Sequence, residues 1–178
     1  MGFCESPENH PVTKKLLTRD SKRALEALKI INYAYAVWNI TVIAAIDKDD
    51  PNNSGIWYPS SKTIQISPRR LLSAETAIYT LLHELGHAEL EFYEKDVLDK
   101  KYPALHLNVD EKNLLKRPWI KKSQKYWIDY ICLESDAWNT GLEIGELLKI
   151  KIDMKRWNLF KYKCMRPAGK WLAVYSVS

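Results

Sequence analysis

The sequence predicts an α+β fold in which a small mixed sheet with an edge hairpin packs on two long helices. Two segments, near residues 73–93 and 123–150, place apolar side chains at helical spacing. Residues 40–67, which precede both segments, contain β-branched stretches and turn signals. A chain of 178 residues suffices for one domain with a core, so we expect a single domain over residues 1–178.

The first 47 residues predict a lead-in, a helix and a strand. Residues 1–17, which contain two prolines, are expected to be an irregular lead-in. Residues 18–38 predict an amphipathic helix, and residues 40–47, "ITVIAAID", predict a buried strand because they are β-branched and apolar. The buried face of the helix is expected to carry Leu25, Leu28, Ile31, Tyr35 and Trp38.

Residues 56–67, "IWYPSSKTIQIS", predict two short strands around a "PSSK" turn. Pro59 cannot donate a hydrogen bond to a sheet, so the hairpin is expected at a sheet edge. Its second strand, Thr63 to Ser67, alternates polar and apolar residues and could pair with an extended substrate by strand addition. Ser73 then predicts the N-cap of a helix that continues to about Tyr93.

The second half of the chain predicts a loop, a long helix and an ambiguous tail. Residues 94–122 are charged, contain Pro103 and Pro118, and are expected to form a loop insert. A second long helix is predicted from about Ser123 to Ile150. The tail predicts a helical piece, a turn at Pro167–Gly169 and a strand at "KWLAVYSV".

Composition and charge narrow the class of protein. The hydrophobic fraction of 46% and the charged fraction of 28% are typical of a globular protein, and we expect a cytoplasmic protein without a membrane segment. Three widely spaced cysteines predict reduced thiols rather than a disulfide framework. The net charge of +5 includes a basic stretch with tryptophans at residues 111–127, which could bind nucleic acid but is more typical of a solvated loop.

The stretch "HELGH", residues 83–87, carries a pattern suited to zinc chemistry. His83 and His87 are four residues apart, so a helix directs both imidazoles toward one point, as two ligands of tetrahedral Zn²⁺ require. Glu84 lies roughly 100° around the helix and can reach a metal-bound water without being a ligand. Gly86 would let another backbone come close. The alternative is two surface histidines beside a solvated glutamate.

A third zinc ligand is expected from another segment. Glu91 and Glu94 lie roughly 6 and 10 Å beyond His87 along the helix axis, too far to complete the site. Glu134 falls within the apolar stripe of the second long helix, where a carboxylate is costly to bury unless it is paired or bound to metal. Two alternatives remain open: Glu134 paired with a basic residue, and His106 as the ligand. Asp136 is expected on the other face.

The string "HELGHAEL" followed by "ESDAW" resembles the gluzincin-type ImmA/IrrE group of small intracellular metallopeptidases. The resemblance is specific at His83, Glu84, His87, Glu134 and Ala137. It implies a zincin-like fold, Zn²⁺ bound by the two histidines and Glu134, and cleavage of an intracellular protein substrate such as a repressor. Many such proteins are phage-encoded, which would place this one in a host cytoplasm. The long insert at residues 94–122 departs from the family pattern.

These residues predict metal-assisted hydrolysis of a peptide bond. Glu84 is expected to act as general base on the zinc-bound water. Tyr130, one turn before Glu134, is the candidate for stabilising the oxyanion, with a core tyrosine as the alternative. Two other functions remain open: a SprT-like protease acting on DNA-bound proteins, and a catalytically silent zincin-fold inhibitor or binding module that acts on a host protein. The sequence indicates neither the substrate nor the oligomeric state.

Overall fold

The computed structural model of the chain describes residues 12, 21–46, 54–105 and 124–175. Within them the fold is α+β, mostly helical with one small sheet. The predicted lead-in at residues 1–17, apart from Val12, and most of the basic stretch at residues 111–127 lie outside the described residues. The regular elements are helices α1 (Ser21–Trp38), α2 (Ala74–Lys101), α3 (Gln124–Leu147) and α4 (Met154–Tyr175), and strands β1 (Thr41–Ala44), β2 (Gly55–Tyr58) and β3 (Thr63–Ile66).

Helix α1 forms where the sequence predicts it, but it buries a different face. Leu25 and Tyr35 are exposed, which corrects their predicted place in the core. The buried face consists of Ala24, Ala27, Ile30, Ile31, Ala34 and Trp38. Small residues at several of these positions let α1 approach α2, with which it packs. The predicted buried face of α1 was wrong because the prediction considered only large apolar residues.

The sheet has the strand order β1-β3-β2, with β1 parallel and β2 antiparallel to β3. The predicted turn is confirmed, since the Lys62 amide donates to the Pro59 carbonyl. The strand expected over residues 40–47 is shorter, and Ile43 and Ile46 are exposed. Strand β3 is central and pairs on both sides, so the prediction that Thr63–Ser67 could receive a substrate strand is wrong. The edge strand of the hairpin is β2.

Helix α2 begins as predicted but ends later. The Ser73 side chain accepts a hydrogen bond from the Thr76 amide and so caps the helix. The helix continues to Lys101 and is followed by a 3₁₀ turn at Pro103–Leu105, so the loop predicted from residue 94 is wrong up to residue 105. Apolar positions in this charged segment, Leu98, Tyr102 and Leu105, are buried together. Burial of these side chains stabilises the helix beyond residue 93, although the sequence of this segment is polar.

Helices α2 and α3 pack in close backbone contact. A Cβ added to Gly86 of α2 would lie 2.0 Å from the Ala137 carbonyl oxygen of α3. A Cβ added to Gly141 of α3 would lie 2.3 Å from the Leu82 carbonyl oxygen of α2. Only glycine fits at these two positions, which confirms the predicted close approach at Gly86 and sets the spacing between the helices.

The tail forms one helix, α4, which corrects the predicted turn at Pro167–Gly169 and the strand after it. Pro167 lies inside the helix, where it removes one backbone hydrogen bond. Ala168 beside it is buried, and Trp157 at the other end packs edge-on against Tyr79 of α2. Packing of this face outweighs the local turn signal. Among the described helices, none has an apolar stretch sufficient to span a membrane.

Candidate metal centre

Helix α2 places the two predicted histidine ligands side by side in the protein interior. The ring centroids of His83 and His87 are 4.6 Å apart. His83 is 8% exposed, and its ring stacks on the indole of Trp138 at 4.2 Å with an interplanar angle of 14°. This stack comes from α3 and limits rotation of the imidazole, so the orientation of His83 depends on the packing of the two helices.

Helix α3 brings Glu134 to the same point. Its Oε2 atom lies 3.2 Å from His83 Nε2, and its Oε1 atom lies 3.3 Å from His87 Nε2. One ligand atom from each of the three residues lies within 4.8 Å of the others, close enough to hold a metal ion. Within the described part of the chain, no lysine or arginine forms an ion pair with Glu134, which removes that alternative there.

The distances and donor types fit a tetrahedral cation. Two donor atoms bound at about 2.0–2.1 Å to tetrahedral zinc are separated by about 3.3 Å. The two imidazole nitrogens lie 3.2 and 3.3 Å from different oxygens of the Glu134 carboxylate, a comparable spacing. Two imidazole nitrogens and one carboxylate form a donor set found in catalytic zinc sites. His83, His87 and Glu134 would therefore hold the metal, and both imidazoles present the same nitrogen, Nε2, to it.

Protons compete with a cation for these ligands. Burial raises the pKa of the Glu134 carboxyl, but the charges and hydrogen bonds of His87 and His83 outweigh burial and hold that pKa well below its usual range. Burial lowers the pKa of His87, but the nearby Glu134 carboxylate outweighs the effect of burial and raises that pKa overall. The site therefore keeps a carboxylate that attracts positive charge, whether the charge is a proton or a metal ion.

Glu84 is held beside the ligands by the edge strand. It is 6% exposed, and the Trp57 backbone amide of β2 donates a hydrogen bond to its carboxylate. The position of a Cβ on Gly55 would be 3.1 Å from Glu84 Oε1, so the strand passes directly over the side chain. Burial is the largest influence on Glu84 and raises the pKa of its carboxyl. A raised pKa makes this group a better proton acceptor at neutral pH.

Tyr130 lies beside Glu134 at the mouth of a cavity of about 200 Å³. Burial, and then the negative charge of Glu134, raise the pKa of its hydroxyl far above the usual range, so Tyr130 stays protonated and can donate a hydrogen bond. Its ring also stacks on Tyr126 and packs edge-on against Trp127. The cavity is lined by Trp127, Tyr130, Ile131, Glu134, Cys164, Met165, Pro167 and Ala168.

The other carboxylates considered from the sequence have separate roles. Glu91 accepts a hydrogen bond from Trp57 Nε1 at 2.8 Å, as expected for a residue too far along α2 to bind the metal. Asp136 contacts Lys101 and Tyr102 at the end of α2, so it fixes the helices and does not join the cluster. The rival ligand His106 lies outside the described residues.

Two tryptophans contribute to the site without any signal in the motif. Trp57 contacts Glu84 through its backbone and Glu91 through its side chain, although the sequence assigned it only a structural role. Trp138 supports His83, although it reads as an ordinary member of the apolar stripe of α3. Neither contribution follows from spacing, because both depend on how β2 and α3 dock on α2.

We compared the chain with known proteins. No protein-family model, curated protein or solved structure matches it.

Proposed function

We propose that the protein is a zinc-dependent metallopeptidase with a zincin-like, ImmA/IrrE-like fold that hydrolyses peptide bonds of an intracellular protein. The observation that carries this proposal is the convergence of His83, His87 and Glu134 from two helices, with the buried carboxylate of Glu84 beside them. Two histidines and a glutamate with an adjacent general base form the minimal machinery of metal-assisted amide hydrolysis. Three of the five residues that carry the resemblance to the ImmA/IrrE group, His83, His87 and Glu134, meet in space.

The proposed chemistry divides between the metal and the chain. A zinc ion held by these ligands would lower the pKa of its bound water to about 7 and polarise the scissile carbonyl. Glu84 accepts the proton of the attacking water and then delivers it to the leaving amine. Its raised pKa suits both transfers, since the group must be ionised to accept the proton and protonated to return it.

Two neighbouring features would serve a peptide substrate. Strand β2, not β3, is the sheet edge beside Glu84, so an extended substrate would lie along β2 with its scissile bond near the metal ligands. The protonated hydroxyl of Tyr130 donates to Glu134, and by rotating away from this carboxylate it would donate to the oxyanion that forms during hydrolysis. Preorganised donors of this kind typically account for a factor of about 100 to 1,000 in rate.

Loss of the general base tests the proposal directly. Zinc-loaded wild type is incubated with a lysate of the expression host, and new peptide termini are identified by mass spectrometry. We expect Glu84→Gln to retain one zinc per chain and to cut about 100- to 10,000-fold more slowly, because proton transfer is lost while the ligands remain. Glu143→Gln, at an exposed position of α3, is the matched control and should cut like wild type.

Three outcomes discriminate among the functions. Equal cleavage by Glu84→Gln would refute Glu84 as the base. Zinc-independent cleavage would refute the metal mechanism. No new termini in any sample, combined with stoichiometric capture of one partner, would contradict the peptidase and favour a catalytically silent binding module.

A further inference from the structure

Arg70 is a half-buried residue that lies four residues before the start of helix α2. Its Nη2 donates a hydrogen bond to Ser54 Oγ at 3.0 Å, and its Cζ lies 5.2 Å from the centre of the Phe160 ring. Among the described residues, no carboxylate lies within ion-pair distance of it. A guanidinium has five N–H donors, so its contact with one hydroxyl leaves most of its donor capacity for another acceptor.

The contacts of Arg70 lead to the candidate site by two separate routes. Its partner Ser54 precedes Gly55, and the Cβ position of Gly55 is 3.1 Å from Glu84 Oε1. Its other partner, Phe160, packs edge-on against Trp138, which in turn stacks on His83. Arg70 therefore contacts both the residue that precedes β2 and a residue of α4, and each contact leads to a residue of the candidate metal centre.

The apolar cavity connects Arg70 to the third metal ligand. Cys164 and Glu134 line the same cavity. Burial raises the pKa of the Cys164 thiol, and Arg70 is near enough to oppose that shift. Arg70 does not line the cavity, but it lies near Cys164, which does.

Three other described cations form ion pairs with carboxylates of the protein. Arg23 forms an ion pair with Glu26 at 2.6 Å, Arg156 with Glu75 at 2.9 Å, and Lys101 with Asp136. Arg70 is also partly removed from water, but no carboxylate in the described part of the chain pairs with it. A charge in this situation binds an incoming anion strongly, because the anion restores the interactions that desolvation removed.

We propose that Arg70 binds a carboxylate of the peptide substrate while the cavity beside Glu134 takes a neighbouring apolar side chain. This assignment rests on the proposed peptidase function and adds the substrate class: peptides with an acidic group close to an apolar residue. The carboxylate can be an Asp or Glu side chain or the C-terminus of the substrate. A single guanidinium beside an apolar cavity suits one planar carboxylate better than a polyanion, which needs several cations.

Binding of metal-directed peptide probes tests the assignment without turnover. The first set of probes consists of peptide hydroxamates with a C-terminal amide. Each carries an isobutyl group next to the metal-binding group and Glu at the first, second or third residue after it. A matched set has Gln in place of Glu, and a third set has Gln with a free C-terminal carboxylate. Dissociation constants are measured by calorimetry at low salt on zinc-loaded wild type, Arg70→Gln and the adjacent exposed control Arg69→Gln.

We expect at least one carboxylate probe to bind about tenfold or more tightly than its Gln counterpart. Comparison of the first and third sets with the second shows whether a side chain or a C-terminus supplies the carboxylate. This advantage should disappear in Arg70→Gln and persist in Arg69→Gln. Arg70→Glu should instead prefer a probe with Lys at the same position, and a reversed preference cannot result from misfolding.

Other results would overturn the assignment. Equal binding of acidic and neutral probes by wild type would refute it, and so would an acidic preference that survives in Arg70→Gln. Either result leaves the peptidase proposal standing if zinc-dependent cleavage is observed. Conversely, an Arg70-dependent preference without any cleavage would refute the peptidase and retain Arg70 as the carboxylate-binding residue of a binding module.

Discussion

Glu134 is a partly buried carboxylate that, among the described residues, pairs with two imidazoles and with no lysine or arginine. Removing it leaves His83 and His87 as a two-coordinate site, which binds zinc far more weakly. We therefore expect wild type to retain about one zinc ion per chain after dialysis and Glu134→Ala to retain almost none, as measured by inductively coupled plasma mass spectrometry. Glu143→Ala, on an exposed position of the same helix, should keep its zinc. Full zinc content in Glu134→Ala would mean that another residue completes the site.

Tyr79 illustrates how one buried hydroxyl links stability to alkaline pH. Its oxygen lies 3.1 Å from Glu75 Oε1, and burial, followed by the charge of Glu75, raises its pKa from 10.0 to about 12. Below pH 10 the neutral hydroxyl contributes fully to stability. Between pH 10 and 12 the unfolded chain releases the proton while the folded protein keeps it, so stability falls as pH rises.

The variant Tyr79→Phe has no proton to release. Between pH 9 and 12, wild type should lose roughly 2 to 3 kcal/mol of unfolding free energy relative to this variant, measured by urea denaturation. The other tyrosines titrate in both proteins and cancel in the comparison. A constant difference between the two proteins across this pH range would contradict the shifted pKa.

At the scale of elements, the contact between α2 and α3 determines whether the ligands meet. Gly86→Ala would place a methyl group 2.0 Å from the Ala137 carbonyl oxygen, so the helices must separate. We expect a loss of about 3 kcal/mol or more in unfolding free energy, together with weaker zinc binding. Gly169→Ala is the matched control, because a Cβ there meets nothing within 4 Å. It should stabilise α4 by up to about 1 kcal/mol.

Elements with a strong local signal could be predicted from the sequence. The Ser73 cap, the hairpin turn after Pro59 and the helix that carries Glu134 all depend on short-range patterns, and all appear in the structure. The end of α2 and the course of α4 depend on tertiary burial of Leu98 and Ala168, which local polarity and Pro167 conceal. Predictions from local sequence patterns were therefore wrong where tertiary packing determines the secondary structure.

The candidate site also has a part that local sequence patterns predict and a part that depends on tertiary contacts. The helical spacing of His83 and His87 and the apolar surroundings of Glu134 predict a shared cation site, and the structure brings these three residues together. The contributions of Trp57, Trp138 and Arg70 could not be predicted, because each depends on contacts between segments distant in sequence.

At the scale of the whole molecule, bound metal should join the two halves of the fold. The residues that would bind the metal come from both α2 and α3. A cation that binds only the folded chain stabilises it by about 2.7 kcal/mol when its free concentration is 100 times its dissociation constant. For a chain of this length we expect saturating zinc to raise Tm by about 5–10 °C in calorimetry, and a chelator to reverse the shift. Glu134→Ala should show little zinc-dependent shift, and an equal shift in that variant would place the bound zinc elsewhere.

The division of the ligands between two helices also has a consequence for biosynthesis. A nascent chain that has emerged only through α2 offers two imidazoles and the neighbouring Glu84, but not the carboxylate that arrives with α3. Translation must continue past residue 134 and the later helix must dock before zinc can be held firmly. Hydrolytic competence of the proposed kind would thus follow folding.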